Sequence, residues 1–256
     1  MVWGRKQMTK VYQQIIQLKQ QGQKAFAVLV DPDNIEESAA ITLAQNAENA
    51  GVDFFFIGGS LIAGDAMGKV IKAIKANCTI PVVLFPGNTL HIDAQADAIL
   101  FLSLISGRNP EHLIGQHVIA APILKRSGIE VLATGYILVD SGKQTTVSYI
   151  SNTTPIPSDK PVIAACTAMA GEMLGLKLIY LDAGSGALNQ VSAQMIEAVA
   201  SSVVAPIIVG GGISSVQNAM SSWQAGADIV VIGNGIEQDS SLMADVARNL
   251  KEYNTK

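Results

Sequence analysis

A carboxylate delivered by a buried strand onto a glycine turn is the feature of this sequence with the most chemical potential. Leu178-Ile179-Tyr180-Leu181 is a short apolar run with strand character, ending on Asp182 and passing into Ala183-Gly184-Ser185-Gly186. Glycines let the main chain approach a ligand and visit positive φ. Successive uncovered N–H groups form a concavity suited to an anion, above all a phosphate. The same run also reads as an ordinary turn from a strand into a helix, because glycine turns are common in α/β folds. Two later glycine turns, Gly210-Gly211-Gly212 and Gly233-Asn234-Gly235, weigh toward a site. Walker-lysine and GxGxxG contexts are both missing, so the expected anion is a phosphate on a small substrate rather than a nucleotide.

Asp31 is a second carboxylate placed at a strand end. An Asp before Pro commonly caps a helix, and Asp33 or Asn34 is expected to fill that role here, leaving Asp31 for another task. Hard oxygen ligands suit Mg²⁺ held largely by water and substrate phosphates, and Asp31 with Ser60 on the next strand offers such a pair. Other polar residues say less. Arg108 reads equally as an anion contact or a solvent-facing arginine, and Tyr136 as the lining of an apolar channel or simple packing. His91 points to nothing firm, and Lys24, Lys125 and Arg126 read as surface charges.

These residues need a frame that brings strand ends together. Residues 5–21 read as an opening helix with Val11, Ile15, Ile16 and Leu18 on one stripe, a lid over one end of the fold. Apolar strands are expected at 25–30, 53–57, 81–85, 98–105, 130–139, 178–182, 206–209 and 228–232. Helices between them are expected at 35–50, closed by Gly51 as C-cap, at 66–76, from Pro110 onward, at 160–174 and at 242–250. Residues 145–150 read as a strand pairing back on the fifth as a hairpin. Short, wholly apolar strands separated by helices argue for a parallel sheet covered on both faces. Eight such units match a (β/α)8 TIM barrel, a single domain over 1–256 with the extra helix in 1–23 and the barrel over 25–250. In a barrel Asp31, Ser60, Asn88 and Asp182 all fall on the strand C-terminal rim, the face that carries active sites, and the turns after strands seven and eight are common phosphate sites.

Composition supports that frame. Of the 256 residues 49% are apolar and 15% charged, enough for a large core. A mean hydropathy of +0.33 fits a sheet buried on both faces, with room for an apolar groove. Net charge is -4 without long basic runs, against a nucleic-acid partner. Cys78 and Cys166 lie far apart among apolar residues and suit a reducing compartment. His91, His112 and His117 lack zinc spacing. The first residues lack the apolar centre of a signal peptide, and no apolar run approaches the roughly 20 residues of a membrane span. A cytoplasmic protein is expected.

Taken together, Asp31-Pro32-Asp33, Gly58-Gly59-Ser60, Phe85-Pro86-Gly87-Asn88, Tyr180 through Gly186, Gly210-Gly211-Gly212-Ile213 and Gly233-Asn234 resemble the geranylgeranylglyceryl phosphate synthase family, in the family's order from about residue 25 to 236. The resemblance implies a Mg²⁺-dependent barrel prenyltransferase joining a prenyl diphosphate, geranylgeranyl diphosphate first, to sn-glycerol 1-phosphate through an ether bond, commonly as a homo-oligomer. Carried over, Asp31 and Ser60 would hold Mg²⁺ on the diphosphate. Tyr180, Leu181, Asp182, Ala183, Gly184, Ser185 and Gly186 would hold glycerol phosphate, with Asp182 at its hydroxyls. Gly211, Gly212, Gly233 and Asn234 would complete the phosphate cradle. Asp182 stands where the family usually carries Glu, a shorter arm for the same acid. The residues alone also fit another phosphate-binding barrel, of thiamine phosphate synthase or sugar phosphate isomerase type, or a barrel that binds a phosphorylated metabolite without turnover.

Overall fold

The computed structural model describes residues 10–59, 64 and 66–255. Eight parallel strands close into a barrel in sequence order, β1 pairing with both β2 and β8. They are β1 (Ala25–Val30), β2 (Phe54–Gly58), β3 (Val82–Phe85), β4 (Ala98–Leu104), β5 (Glu130–Leu138), β6 (Leu178–Asp182), β7 (Ile207–Gly210) and β8 (Ile229–Ile232). Their helices are α1 (Lys10–Gln20), α2 (Glu37–Ala50), α3 (Met67–Asn77), α4 (Gln116–Ser127), α5 (Thr146–Ser151), α6 (Pro161–Met173), α7 (Ala193–Ala200), α8 (Val216–Gln224), α9 (Asn234–Gln238) and α10 (Ser241–Asn254). A π-helical turn, Glu111–Gly115, leads into α4.

Strand residues alternate between two cores. Phe54, Phe56, Val83, Tyr136, Leu178, Tyr180 and Ile208 fill the barrel interior. Phe55, Ile57, Ile179, Leu181 and Val209 pack outward beneath the helices. Successive side chains of a strand point to opposite faces, so both parities of an all-parallel strand must be apolar. This is why the strands read as continuous hydrophobic runs. The same parity places Asp182, two residues beyond Tyr180, on the inner face at the rim.

The opposite end of the barrel is closed by α1. Val11 and Ile15 join the interior core, and the Glu130 carboxylate accepts the backbone N–H groups of Val11 and Tyr12, both at 2.9 Å. The lid expected from the sequence is therefore present over Lys10–Gln20, its expected start at 5–9 lying outside the described residues.

Two local expectations are corrected. Residues 145–150 do not pair with β5; Thr146–Ser151 is helix α5, opened by a reciprocal capping box between Thr145 and Ser148 and closed by Asn152 in the left-handed region. The physical reason is closure: β4 and β6 occupy both edges of β5, leaving no edge for a hairpin. Nor does Asp33 cap α2. Glu36 takes that position without a side-chain bond, while the Asp33 carboxylate accepts the N–H of Gly64 at 3.1 Å.

Candidate functional site

Closure brings the first exit and the last three onto one rim. Asp31, Tyr180, Asp182, Gly184, Ser185, Gly186, Gly211, Gly212, Gly233 and Asn234 line a single polar cavity of about 500 Å³. Two of the expected substrate residues are not brought there. Leu181 and Ala183 have the outward parity and are packed in the core beneath the helices, so their side chains do not reach the cavity. Ser60 lies outside the described residues.

Asp182 is only 5% exposed. One carboxylate oxygen accepts the Tyr136 hydroxyl at 2.5 Å and the other accepts the Gly184 N–H at 2.8 Å. Burial pushes its pKa above the ordinary carboxylate value, and those two hydrogen bonds pull against the shift. The result is a carboxylate more basic than a solvated one, fixed in direction, with lone pairs left for a substrate hydroxyl. Tyr136 reaches Asp182 because Tyr136 pairs with Tyr180 and Leu138 with Asp182 across the β5–β6 ladder. Sequence reasoning allowed Tyr136 only packing or an apolar lining; nothing local reveals its acidic partner.

The glycine turns interlock. Gly211 has φ +81°, and a β-carbon there would lie 2.6 Å from both Asp182 Oδ1 and the Gly184 nitrogen. Only glycine permits that approach. Across the cavity, the Ser185 hydroxyl donates to Asn234 Oδ1 at 3.2 Å, joining the turn after β6 to the one after β8. Together the turns build the concave, donor-rich surface that anions favour.

Asp31 faces this cradle from β1. Its carboxylate accepts the Asp33 N–H and the Asn34 side-chain amide, both at 3.0 Å. Burial raises its pKa, the Asp33 N–H lowers it, the Asp33 charge raises it and His91 lowers it. Glu237, another lining residue absent from the sequence reading, is raised by burial and by the Asp31 charge. No group of three or more His, Cys, Asp or Glu forms a metal cage among the described residues. One or two carboxylates are nevertheless the donor set of a Mg²⁺ ion that keeps water and takes phosphate oxygens, so Asp31 fits that ion. Lys143 and Thr146, from the segment after β5, also line the cavity. Arg108 is not there; it folds back to donate to the Gly107 carbonyl at 2.8 Å.

A second cavity, narrow and of about 110 Å³, adjoins the first. Gly59 and Phe85 line both. Its walls include Ile99, Phe101, Leu104, Ala120, Leu124 and Tyr136. His117, buried and bonded through Nε2 to Ser103 at 3.0 Å, also lines it, and burial lowers the pKa of that imidazole. At the junction the Phe85 ring stacks on Tyr180 with centroids 5.3 Å apart, and Tyr136 lies 6.2 Å from Phe85.

This architecture and its relatives agree. A geranylgeranylglyceryl phosphate synthase of Spirosoma linguale is 60% identical over 236 residues, covering 92% of this chain and 95% of that one. An archaeal protein of the same name, from Korarchaeum cryptofilum, is 40% identical, with 89% of this chain and 93% of that one covered. Among solved structures, (S)-3-O-geranylgeranylglyceryl phosphate synthase of Thermoplasma acidophilum, in complex with substrate sn-glycerol-1-phosphate, superposes with a TM-score of 0.90 at 34% identity, covering 96% of this chain and 100% of that one. Residues 15–252 match the PcrB family. With the barrel, its rim turns and the relatives all concordant over nearly the whole length, this chain belongs to the PcrB family.

Proposed function

We propose that the protein is a prenyltransferase that forms an ether between sn-glycerol 1-phosphate and a prenyl diphosphate, geranylgeranyl diphosphate being the first donor to test. The observation that carries this reading is the junction of two unlike cavities through Gly59 and Phe85: a polar one with glycine turns and an apolar one. A sugar phosphate isomerase or a simple phosphate binder has no use for the second. An isoprenoid joined to a phosphorylated alcohol requires both.

In this reading the turns at Gly184–Gly186, Gly211–Gly212 and Gly233–Asn234 hold the phosphate monoester. The Tyr180 hydroxyl, which has no hydrogen-bond partner among the described residues, and the Asp182 carboxylate orient the glycerol hydroxyls. Asp182 accepts the proton of the attacking hydroxyl as the new C–O bond forms and the allylic C–O bond to diphosphate breaks. Burial has moved its basicity in the direction that general-base work needs. The Phe85 ring, which lines both cavities, shields the developing allylic cation, a ring–cation attraction of about 0.5–2 kcal/mol. Asp31, with Ser60 by family resemblance, would hold Mg²⁺. That ion supplies Lewis acidity to the leaving diphosphate.

Three features support the remaining expectations. Cys78 and Cys166 are free thiols, which suits a cytoplasmic protein; no described helix is long and apolar enough to cross a membrane. Exposed apolar residues on α4 (Val118, Ile119, Ile123) and on α6 (Val162, Ile163, Met173) support self-association, measurable by light scattering.

The reading is tested by incubating the purified protein with labelled sn-glycerol 1-phosphate, geranylgeranyl diphosphate and Mg²⁺ and analysing the lipid fraction by mass spectrometry. A geranylgeranylglyceryl phosphate product with equimolar diphosphate is expected. Hydrolysis of the donor without ether, or no turnover with any donor from C15 upward, sinks it. Undiminished turnover by Asp31→Ala would remove the metal assignment.

A further inference from the structure

The polar cavity is poor in positive charge for a site that gathers anions. Three carboxylates line it, Asp31, Asp182 and Glu237, and Lys143 is the one cationic side chain of its lining among the described residues. Lys143 stands on a loop with defined internal bonding. Asp140 accepts the Gly142 N–H at 2.9 Å, and the Ser141 hydroxyl donates to the Lys143 carbonyl at 3.1 Å. Asn189, from the segment after β6, donates its backbone N–H at 3.1 Å and its side-chain amide at 3.2 Å to the Ser141 carbonyl. The loop after β5 is thereby tied to the segment that follows the glycine turn after β6.

This bracing fixes the backbone from which the Lys143 side chain extends. A β-carbon built on Gly186 would lie 3.9 Å from Lys143 Nζ, so the charge hangs over the last glycine of the turn. The side chain is exposed and makes no ion pair with any carboxylate among the described residues. The Gly184 N–H is given to Asp182, and a cation unspent on any carboxylate above the Gly186 end of the turn complements an anion seated there.

We propose that Lys143 closes over the phosphate of glycerol phosphate, gripping from above the group that the Gly184–Gly186 turn holds from below; this rests on the substrate reading given above. The ammonium contributes ground-state binding of the acceptor. It lies on the β5–β6 side of the cavity, whereas Asp31, the group assigned to the diphosphate, rises from β1.

The test is calorimetric titration of the purified protein with sn-glycerol 1-phosphate, and with inorganic phosphate as a simpler probe, alongside steady-state kinetics. Lys143→Met removes the charge while keeping the length of the side chain. It is expected to weaken both ligands and raise the acceptor KM roughly 10- to 100-fold, the size of one lost charge-assisted hydrogen bond. The donor KM and the melting temperature of the ligand-free protein stay at parent values, and Lys143→Arg restores most of the affinity. A parent protein that binds no glycerol phosphate would defeat the substrate reading itself. A parent that binds it, with Lys143→Met binding equally well, defeats the clamp alone. A raised donor KM with unchanged acceptor binding also overturns the assignment, placing the ammonium on the diphosphate.

Discussion

The two cavities of the rim are built by opposite means. Beneath β6, β7 and β8 the binding surface is mostly main chain, held open by glycines and anchored by one buried acid. Beneath β3, β4 and β5 it is side chain: Phe85, Ile99, Phe101 and Leu104 from the strands and their exits, Ala120 and Leu124 from α4. A phosphate needs donors at fixed positions, and backbone N–H groups cannot relax away from it. A hydrocarbon needs only area and shape, at about 25 cal/mol per Å² removed from water. The polar half should therefore fail abruptly when altered, and the apolar half by degrees.

The sharpest way to break the polar half alone is Asp182→Asn. Loss of the general base is expected to lower kcat by about 10²- to 10⁴-fold, while donor binding, measured by titration with a non-reactive prenyl phosphonate, stays at the parent value. A comparable loss of donor affinity would mean that the two cavities are not separable. The apolar half is challenged by Ala120→Phe, which puts a ring into a cavity of about 110 Å³. Each CH₂ kept out of an apolar site costs about 0.8 kcal/mol. Displacing two or three of them lowers kcat/KM for the C20 donor by roughly 10- to 100-fold, with a smaller loss for C15. The acceptor KM should not move.

Tyr136 lines the apolar cavity yet bonds the acid of the polar one, so Tyr136→Phe probes the wall between them. Its hydroxyl stabilises the ionised form of Asp182, and removing it leaves burial less opposed. The Asp182 pKa must then rise further. Activity that needs the carboxylate appears above its pKa and is lost as pH falls through it, so the acid limb of the kcat profile should move to higher pH. The hydrogen bond to a charged group also contributes about 1.5–3 kcal/mol of stability. An unmoved acid limb would place the titrating group elsewhere. The smallest expected effect is that of Phe85→Leu at the junction. Loss of a ring–cation contact of about 0.5–2 kcal/mol should lower kcat several-fold and leave both KM values near the parent's. A change confined to KM would make Phe85 a packing residue only.

Much of this was legible in the chain itself. Continuous apolar runs at eight places, most of them ending in Asp or Gly, were sufficient for a barrel and for its rim, because buried parallel strands tolerate little else on either face. The glycine turns and Asp182 were legible for the same local reason: a turn chemistry that spans a few residues can be read from a few residues. The errors were also local. Residues 145–150 carry β-forming Thr, Val, Tyr and Ile, yet a capping box and the want of a free sheet edge made them helix α5.

Strand period, turn chemistry and the acid at the sixth exit are thus properties of the sequence by itself, because each depends on neighbours a few bonds away. Tertiary structure alone decided that Tyr136 would hold Asp182 from 46 residues upstream and that Lys143 would overhang Gly186. It likewise decided that Leu181 and Ala183 would face the helices rather than the cavity. Closing the barrel fixes strand register, and register assigns each side chain to the inside or the outside; no stretch of chain carries that information alone.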